Sequence, residues 1–63
     1  MNIGEKIRQL RTDRGITQNE LAQMLFVSAQ AVSKWETGKS IPNIQLLPVV
    51  AKALNVHISQ LFD

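Results

Sequence analysis

The chain has 63 residues, of which 44% are apolar, and this length is enough for one small domain with a modest core. It contains no cysteine, which excludes disulfides, thiolate metal sites and thiol chemistry, and it has neither a membrane-length apolar run nor the apolar segment of a secretory signal. Seven Lys and Arg against five Asp and Glu give a net charge of +2, which permits a polyanionic partner without indicating one. We expect residues 1–63 to form one domain of a soluble, cytoplasmic protein with no membrane partner.

The first predicted element is an amphipathic helix within residues 2–14. Its apolar side chains recur at helical spacing, at Ile3, Ile7 and Leu10. Gly15 is a typical helix stop. Arg11 lies on the apolar face of this helix, where a charged side chain needs a partner.

Two helices with a very short connection follow. Thr17 and Glu20 match a capping box, in which each side chain pairs with a backbone amide that the first turn leaves unsatisfied. The second helix is predicted to bury Leu21, Ala22 and Leu25. Ser28 is a good N-cap for a third helix over residues 29–36, so only Phe26 and Val27 connect the two helices.

A loop and a fourth helix come next. Gly38 predicts the stop of the third helix and residues 37–42 a loop. The apolar positions of the fourth helix are Leu46, Leu47, Val50, Ala51 and Leu54. Pro48 belongs in its first turn, because a proline in the helix interior clashes and donates no hydrogen bond. Residues 58–62 are predicted to form one or two short helical turns.

The third helix has two opposed faces. At about 100° per residue, Val32 and Trp35 point to a core, whereas the opposite side carries no carboxylate. That polar side consists of Gln30, Ser33, Lys34 and Thr37. In a DNA major groove, Gln pairs with adenine, Lys with guanine and Ser with several bases, and Ala29 could touch a thymine methyl. The alternative is an ordinary solvated face.

A capped helix, a short turn and a second capped helix form the helix-turn-helix arrangement, here residues 17–36. The sequence resembles the phage repressor and Cro family, also called the XRE family. The matching residues are Thr17, Gln18, Leu21, Ala22, Leu25, Val27, Ser28, Val32, Ser33, Trp35, Glu36 and Gly38, and then Pro42, Leu47, Ala51, Leu54, Val56, Leu61 and Phe62. The resemblance implies an all-α, five-helix fold like that of lambda repressor. It also implies sequence-specific binding to double-stranded DNA, homodimers on palindromic operators and, most often, transcriptional repression.

The resemblance assigns DNA-contacting roles by position. Base readout is assigned to Ala29, Gln30, Ser33 and Lys34. Phosphate contacts are assigned to Thr17, Gln18, Ser28, Thr37, Lys39 and Ser40. In the family, the arginine matching Arg11 pairs with the glutamate matching Glu36, and we expect a partly buried ion pair that fixes the third helix; the alternative is an ordinary surface pair.

Phe26 departs from the family pattern. The family usually has glycine here, since the turn tends to need a positive φ that strains other residues. Three outcomes are open: tolerated strain, a different turn with the ring packed on the first helix or exposed, and a partner contact through the ring. We favour tolerated strain, because one exposed aromatic side chain is common on protein surfaces.

Other classes of protein find little support. The chain offers no catalytic nucleophile–base set, phosphate-binding glycine loop or metal-ligand cluster, and His57 is its only histidine, so we expect no enzyme, cofactor, metal or small-molecule ligand. The serious alternative is a protein-interaction module, such as an antitoxin or an anti-repressor target. It would use an apolar surface that also suits a homodimer, formed by Val56, Ile58, Leu61 and Phe62.

Overall fold

The computed structural model describes residues 2–62, which fold into helices joined by short connections. The helices are α1 (Ile3–Asp13), α2 (Gln18–Leu25), α3 (Ala29–Glu36), α4 (Leu47–Ala53) and a 3-10 helix (Ile58–Phe62). No residue between 2 and 62 lies in a strand, so the predicted all-α class is confirmed. Met1 and Asp63, the two ends of the predicted domain, lie outside the described residues.

The fifth helix expected from the resemblance is a 3-10 turn. It is five residues long, and the amide of Gln60 donates to the carbonyl of His57, three residues earlier, at 2.9 Å. Such tight winding is usual in short pieces of helix. The fold therefore has four α-helices and one 3-10 turn in the described part of the chain.

Side-chain caps set the starts of the first three helices. The acceptor–donor pairs are Asn2 Oδ1 with the Glu5 amide (2.8 Å), Thr17 Oγ1 with the Glu20 amide (3.0 Å) and Ser28 Oγ with the Ala31 amide (3.1 Å). The predicted capping box is complete, because the carboxylate of Glu20 also accepts from the amide of Thr17 at 2.8 Å. Each cap satisfies an amide that the helix leaves unpaired and contributes about 1 kcal/mol.

The start of α4 follows from its proline. Pro48 is the second residue of the helix, where its missing N–H leaves no hydrogen bond unmade, and the prediction that it lies in the first turn is confirmed. Leu46 precedes the helix and provides no side-chain cap. None of the helices in residues 2–62 has the length and apolarity that crossing a bilayer requires.

One apolar core holds the helices together. Its buried side chains are Ile7, Leu10, Leu21, Ala22, Leu25, Val32, Trp35, Leu47, Val50, Ala51, Leu54 and Leu61. Trp35 is only 5% exposed, so its predicted core role is confirmed. Because α2 and α3 each bury a stripe of this core, their outer faces are held in a fixed relation.

Candidate nucleic-acid interface

The turn between α2 and α3 has the backbone shape that usually requires glycine. Phe26 adopts φ 58° and ψ 40°, in the left-handed region, and the amide of Val27 donates across it to the carbonyl of Ala22 at 3.0 Å. This hydrogen bond closes the end of α2 in the Schellman pattern. The ring of Phe26 is 96% exposed, so it is not packed on α1. The turn thus keeps the glycine-type conformation with a phenylalanine in place.

The outer face of α3 borders an open groove of about 250 Å³. Its lining is entirely polar or basic and consists of Gln30, Ser33, Lys34, Thr37 and Lys39. The structure therefore places three of the four predicted base readers together. Ala29, the fourth, is half-buried at the start of the helix and packs in part against the core.

The hydroxyl side chains predicted to contact phosphates differ in whether their proton is free to be donated. A phosphate only accepts hydrogen bonds, so a hydroxyl must donate its single proton to bind one. The oxygens of Thr17 and Ser28 accept from backbone amides, which leaves both hydroxyl protons available. The hydroxyl of Thr37 instead donates to the carbonyl of Ser33 at 2.9 Å, so Thr37 must break this bond to donate to a phosphate.

The first part of the loop after α3 folds back on the helix end. The amides of Lys39 and Ser40 both donate to the carbonyl of Lys34, at 2.9 and 3.3 Å, and thereby fold the loop back on the helix end. The side chains of Lys39 and Ser40 are exposed. The ammonium of Lys39 is consequently the strongest anion-binding group of this loop.

A partly buried ion pair joins α1 to the end of α3. Arg11 Nε lies 2.7 Å from Glu36 Oε2 and Arg11 Nη2 lies 3.0 Å from Glu36 Oε1, a two-point pairing with side chains 11% and 3% exposed. Arg11 Nη1 also donates to the carbonyl of Ile16 at 2.8 Å. The hydrogen bond to Glu36 raises the pKa of Arg11 further, against the opposing effect of burial. The pair is the partly buried type expected from the sequence.

Gln18 belongs to the same cluster, and sequence reasoning missed this. Its Nε2 donates to Glu36 Oε1 at 2.9 Å, and the residue is half-buried. Burial alone would raise the pKa of Glu36, but the hydrogen bonds from Arg11 and Gln18 and the charges of Arg11 and Arg8 hold it below its usual value. Glu36 is therefore ionised at neutral pH and ties α1, α2 and α3 together.

A second missed feature is the close approach of α1 to the end of α3. A Cβ atom at Gly4 would overlap the carbonyl oxygen of Trp35 and contact Glu36 Cα. Only glycine fits at this crossing. The signal in the sequence was a glycine inside a predicted amphipathic helix, which often marks a close backbone approach.

The predicted dimer surface needs one correction. Leu61 is 1% exposed and belongs to the core of its own chain, because the 3-10 helix turns it inward, so it offers no surface to a partner. Val56 and Ile58 are half-buried, and Phe62 is 62% exposed. A wide-open groove of about 530 Å³ is lined in part by Val56, His57 and Ile58. His57 is exposed, and no cluster of potential metal ligands occurs in residues 2–62.

Two capped helices at a three-residue turn, with a polar outer face on the second, define a helix-turn-helix protein. The chain belongs to the helix-turn-helix family HTH_3, whose model matches residues 7–61. This is the Cro/C1-type, or XRE, family that the sequence resembles, and that resemblance is confirmed.

Individual relatives agree with this assignment. The HTH-type transcriptional activator BcrR of Enterococcus faecalis is 46% identical over 63 residues, which are 100% of this chain and 31% of the relative. Multiprotein-bridging factor 1a of Arabidopsis thaliana is 40% identical over 56 residues, 89% of this chain and 39% of the relative. This chain thus spans well under half the length of both.

Solved structures match over nearly the whole chain. The P22 c2 repressor in complex with a synthetic operator superposes with a TM-score of 0.89 at 36% identity, covering 97% of this chain and 92% of that one. The biofilm regulator SinR in complex with DNA superposes with a TM-score of 0.87 at 34% identity, covering 97% and 98%.

Proposed function

We propose that this chain binds double-stranded DNA in a sequence-specific manner and serves as the DNA-reading part of a transcriptional regulator. The resemblance to the family favours a repressor. The observation that carries the proposal is the outer face of α3. Gln30, Ser33 and Lys34 line one open groove there, and the groove holds no carboxylate. A face of this kind fits the donor and acceptor pattern of a major groove. The P22 c2 repressor and SinR, both solved with DNA, support the proposal.

Base readers and phosphate contacts have separate tasks in this proposal. Gln30, Ser33 and Lys34, with Ala29 at the helix start, select the sequence. The exposed amides at the start of α2 and the surrounding polar side chains fix the position of α3 on the backbone. The phosphate-contacting side chains are those of Thr17, Gln18, Ser28, Thr37, Lys39 and Ser40. In this proposal the protein acts in the cytoplasm. It binds DNA without a cofactor and is not an enzyme.

The test is selection of bound duplexes from a random library, followed by titration at several salt concentrations. We expect one enriched motif and an affinity that falls steeply as salt rises, because several phosphates are neutralised. Gln30→Ala and Lys34→Ala should each relax the preference at one base position by about 1–3 kcal/mol. Matched controls are Gln23→Ala and Lys52→Ala, which remove the same side chains from exposed helical positions elsewhere. Failure to enrich any motif, with salt-insensitive binding, would contradict the proposal.

Dimerisation is part of the proposed function. The net charge of +2 is small for a DNA-binding protein, so two copies on half-sites about 34 Å apart would supply affinity that one lacks. The proposed contact surface consists of the exposed ring of Phe62 and the half-buried side chains of Val56 and Ile58. We expect the motif selected by the parent chain to have two-fold symmetry. Phe62→Ser should lose both this symmetry and most of the affinity.

The same surface supports the second candidate, a protein-interaction role. A relative named as a multiprotein-bridging factor is 40% identical to this chain. If the selection fails while Phe62→Ser abolishes self-association, the protein-interaction role is favoured over DNA binding.

A further inference from the structure

The side of α1 that meets the end of α3 carries an arginine without an assigned role. Gly4, Arg8 and Arg11 are spaced by four and three residues, so they lie within about 60° of one another around the helix. Gly4 touches the backbone of Trp35, and Arg11 binds the carboxylate of Glu36. Arg8 lies between these two contacts along the helix. The backbone of Arg8 is therefore held beside the end of α3.

The partners of Glu36 are already complete without Arg8. Oε2 accepts from Arg11 Nε, and Oε1 accepts from Arg11 Nη2 and Gln18 Nε2. Arg8 is exposed, and within residues 2–62 its side chain makes no hydrogen bond or ion pair. Its charge is nevertheless near enough to help lower the pKa of Glu36. The five N–H donors of its guanidinium are thus available to an external anion.

We infer that Arg8 is a further phosphate contact, which binds the DNA backbone beside the position assigned to Gln18. Gln18 donates to Glu36 from the start of α2, and the charge of Arg8 acts on the same carboxylate from the side of α1 that faces the end of α3, so an anion at the start of α2 lies near both. Arg11 and Gln18 already satisfy the carboxylate, which leaves Arg8 as the uncompensated charge of the cluster. A planar guanidinium also suits a phosphate, since it offers two parallel hydrogen bonds. This inference rests on the proposed DNA binding.

The first experiment measures the salt dependence of binding with the selected duplex and with a shuffled duplex of the same composition. Arg8→Gln should lower the slope of log affinity against log salt by about 0.9 for each bound copy of the chain, because one phosphate contact is lost. Both duplexes should lose affinity by the same factor, and Arg8→Lys should restore most of the slope. Lys6→Gln is the matched control. It removes the same charge from α1 about 200° around the helix, away from the end of α3, and we expect a smaller slope change.

The second experiment locates the phosphate. Single phosphates of the selected duplex are replaced by neutral methylphosphonates, and each duplex is titrated with the parent chain and with Arg8→Gln. One replacement should weaken binding of the parent but leave binding of Arg8→Gln unchanged, since the two changes remove the same contact.

The outcomes separate this inference from the function on which it rests. Equal slope changes for Arg8→Gln and Lys6→Gln, with no methylphosphonate whose effect depends on Arg8, would overturn the role of Arg8 and leave DNA binding intact. Absence of salt-dependent binding by the parent chain would overturn both.

Discussion

The side-chain amide of Gln18, the first residue of α2, donates a hydrogen bond of 2.9 Å to Oε1 of Glu36, the last residue of α3. The same oxygen accepts from Arg11 on α1 at 3.0 Å. One buried carboxylate therefore holds the start of the proposed phosphate-binding helix against the end of the proposed reading helix. The angle between the two helices depends on this charged hydrogen-bond network as well as on the turn.

Replacement of Arg11 by methionine should destabilise the fold by about 3 kcal/mol, because it leaves a carboxylate that is 3% exposed without its countercharge. Urea denaturation measures the change. The double variant Arg11→Met with Glu36→Leu should recover much of the loss, since it removes the unpaired charge as well. Lys52→Met is the surface control. A loss below about 0.5 kcal/mol for Arg11→Met would show that the pair contributes no more than a surface contact.

Acid should weaken the fold through Glu36. Its pKa lies below the ordinary value of 4.5 in the folded chain, so its ionisation stabilises the fold above the pKa of the unfolded chain, and this contribution disappears as pH falls through the folded-state pKa. The difference in unfolding free energy between the parent and Glu36→Gln should be constant near neutral pH and shrink as the pH drops below about 4.5. In the Arg11→Met background the pH dependence of this comparison should reverse, because burial, which raises the pKa of Glu36, is then opposed only by the hydrogen bond from Gln18 and the charge of Arg8. A difference that is equal at pH 7 and pH 3 would contradict the assignment.

Phe26→Gly should stabilise the fold by about 0.5–1 kcal/mol. A left-handed conformation costs an ordinary residue about 1–2 kcal/mol, the ring is 96% exposed and contributes no packing, and the greater freedom of glycine in the unfolded chain cancels part of the gain. Asn55 has the same φ of 58° and is the matched control, since asparagine tolerates this region better. Thermal unfolding should show a larger gain for Phe26→Gly than for Asn55→Gly. Clear destabilisation by Phe26→Gly would show that the backbone of Phe26 is not strained.

Gly4→Ala should destabilise the fold by about 1–3 kcal/mol or more, although alanine favours a helix over glycine by about 1 kcal/mol. The added methyl overlaps the carbonyl of Trp35, so α1 and α3 must move apart. Gly15→Ala is the control: nothing lies within 4 Å of its added Cβ, and only its φ of +68° opposes the change. A stabilised Gly4→Ala chain would show that the helices do not approach so closely.

The spans of the helices, the buried stripes and the polar face of α3 could be predicted from the sequence. Caps at Thr17 and Ser28, and apolar spacing such as that of Leu21 and Leu25, depend on residues a few positions apart, which the sequence presents directly. The left-handed turn at Phe26 was expected from the glycine that the family usually has there, with a different turn as the alternative, and the backbone of Phe26 has the expected positive φ.

Only the tertiary structure decided the contacts between distant residues. Gln18 meets Glu36 across 18 positions and Gly4 meets the carbonyl of Trp35, and neither helix reveals its partner when considered alone. Leu61 was predicted to lie on a surface and is buried, since a short 3-10 helix gives too few residues for a spacing pattern to tell inside from outside. The sequence by itself determined which elements form and which faces are polar. The packing of α1 against α3 decided which polar groups meet. The buried charge of Glu36 is costly unless it is paired and hydrogen-bonded, so Arg11 and Gln18 must lie beside it.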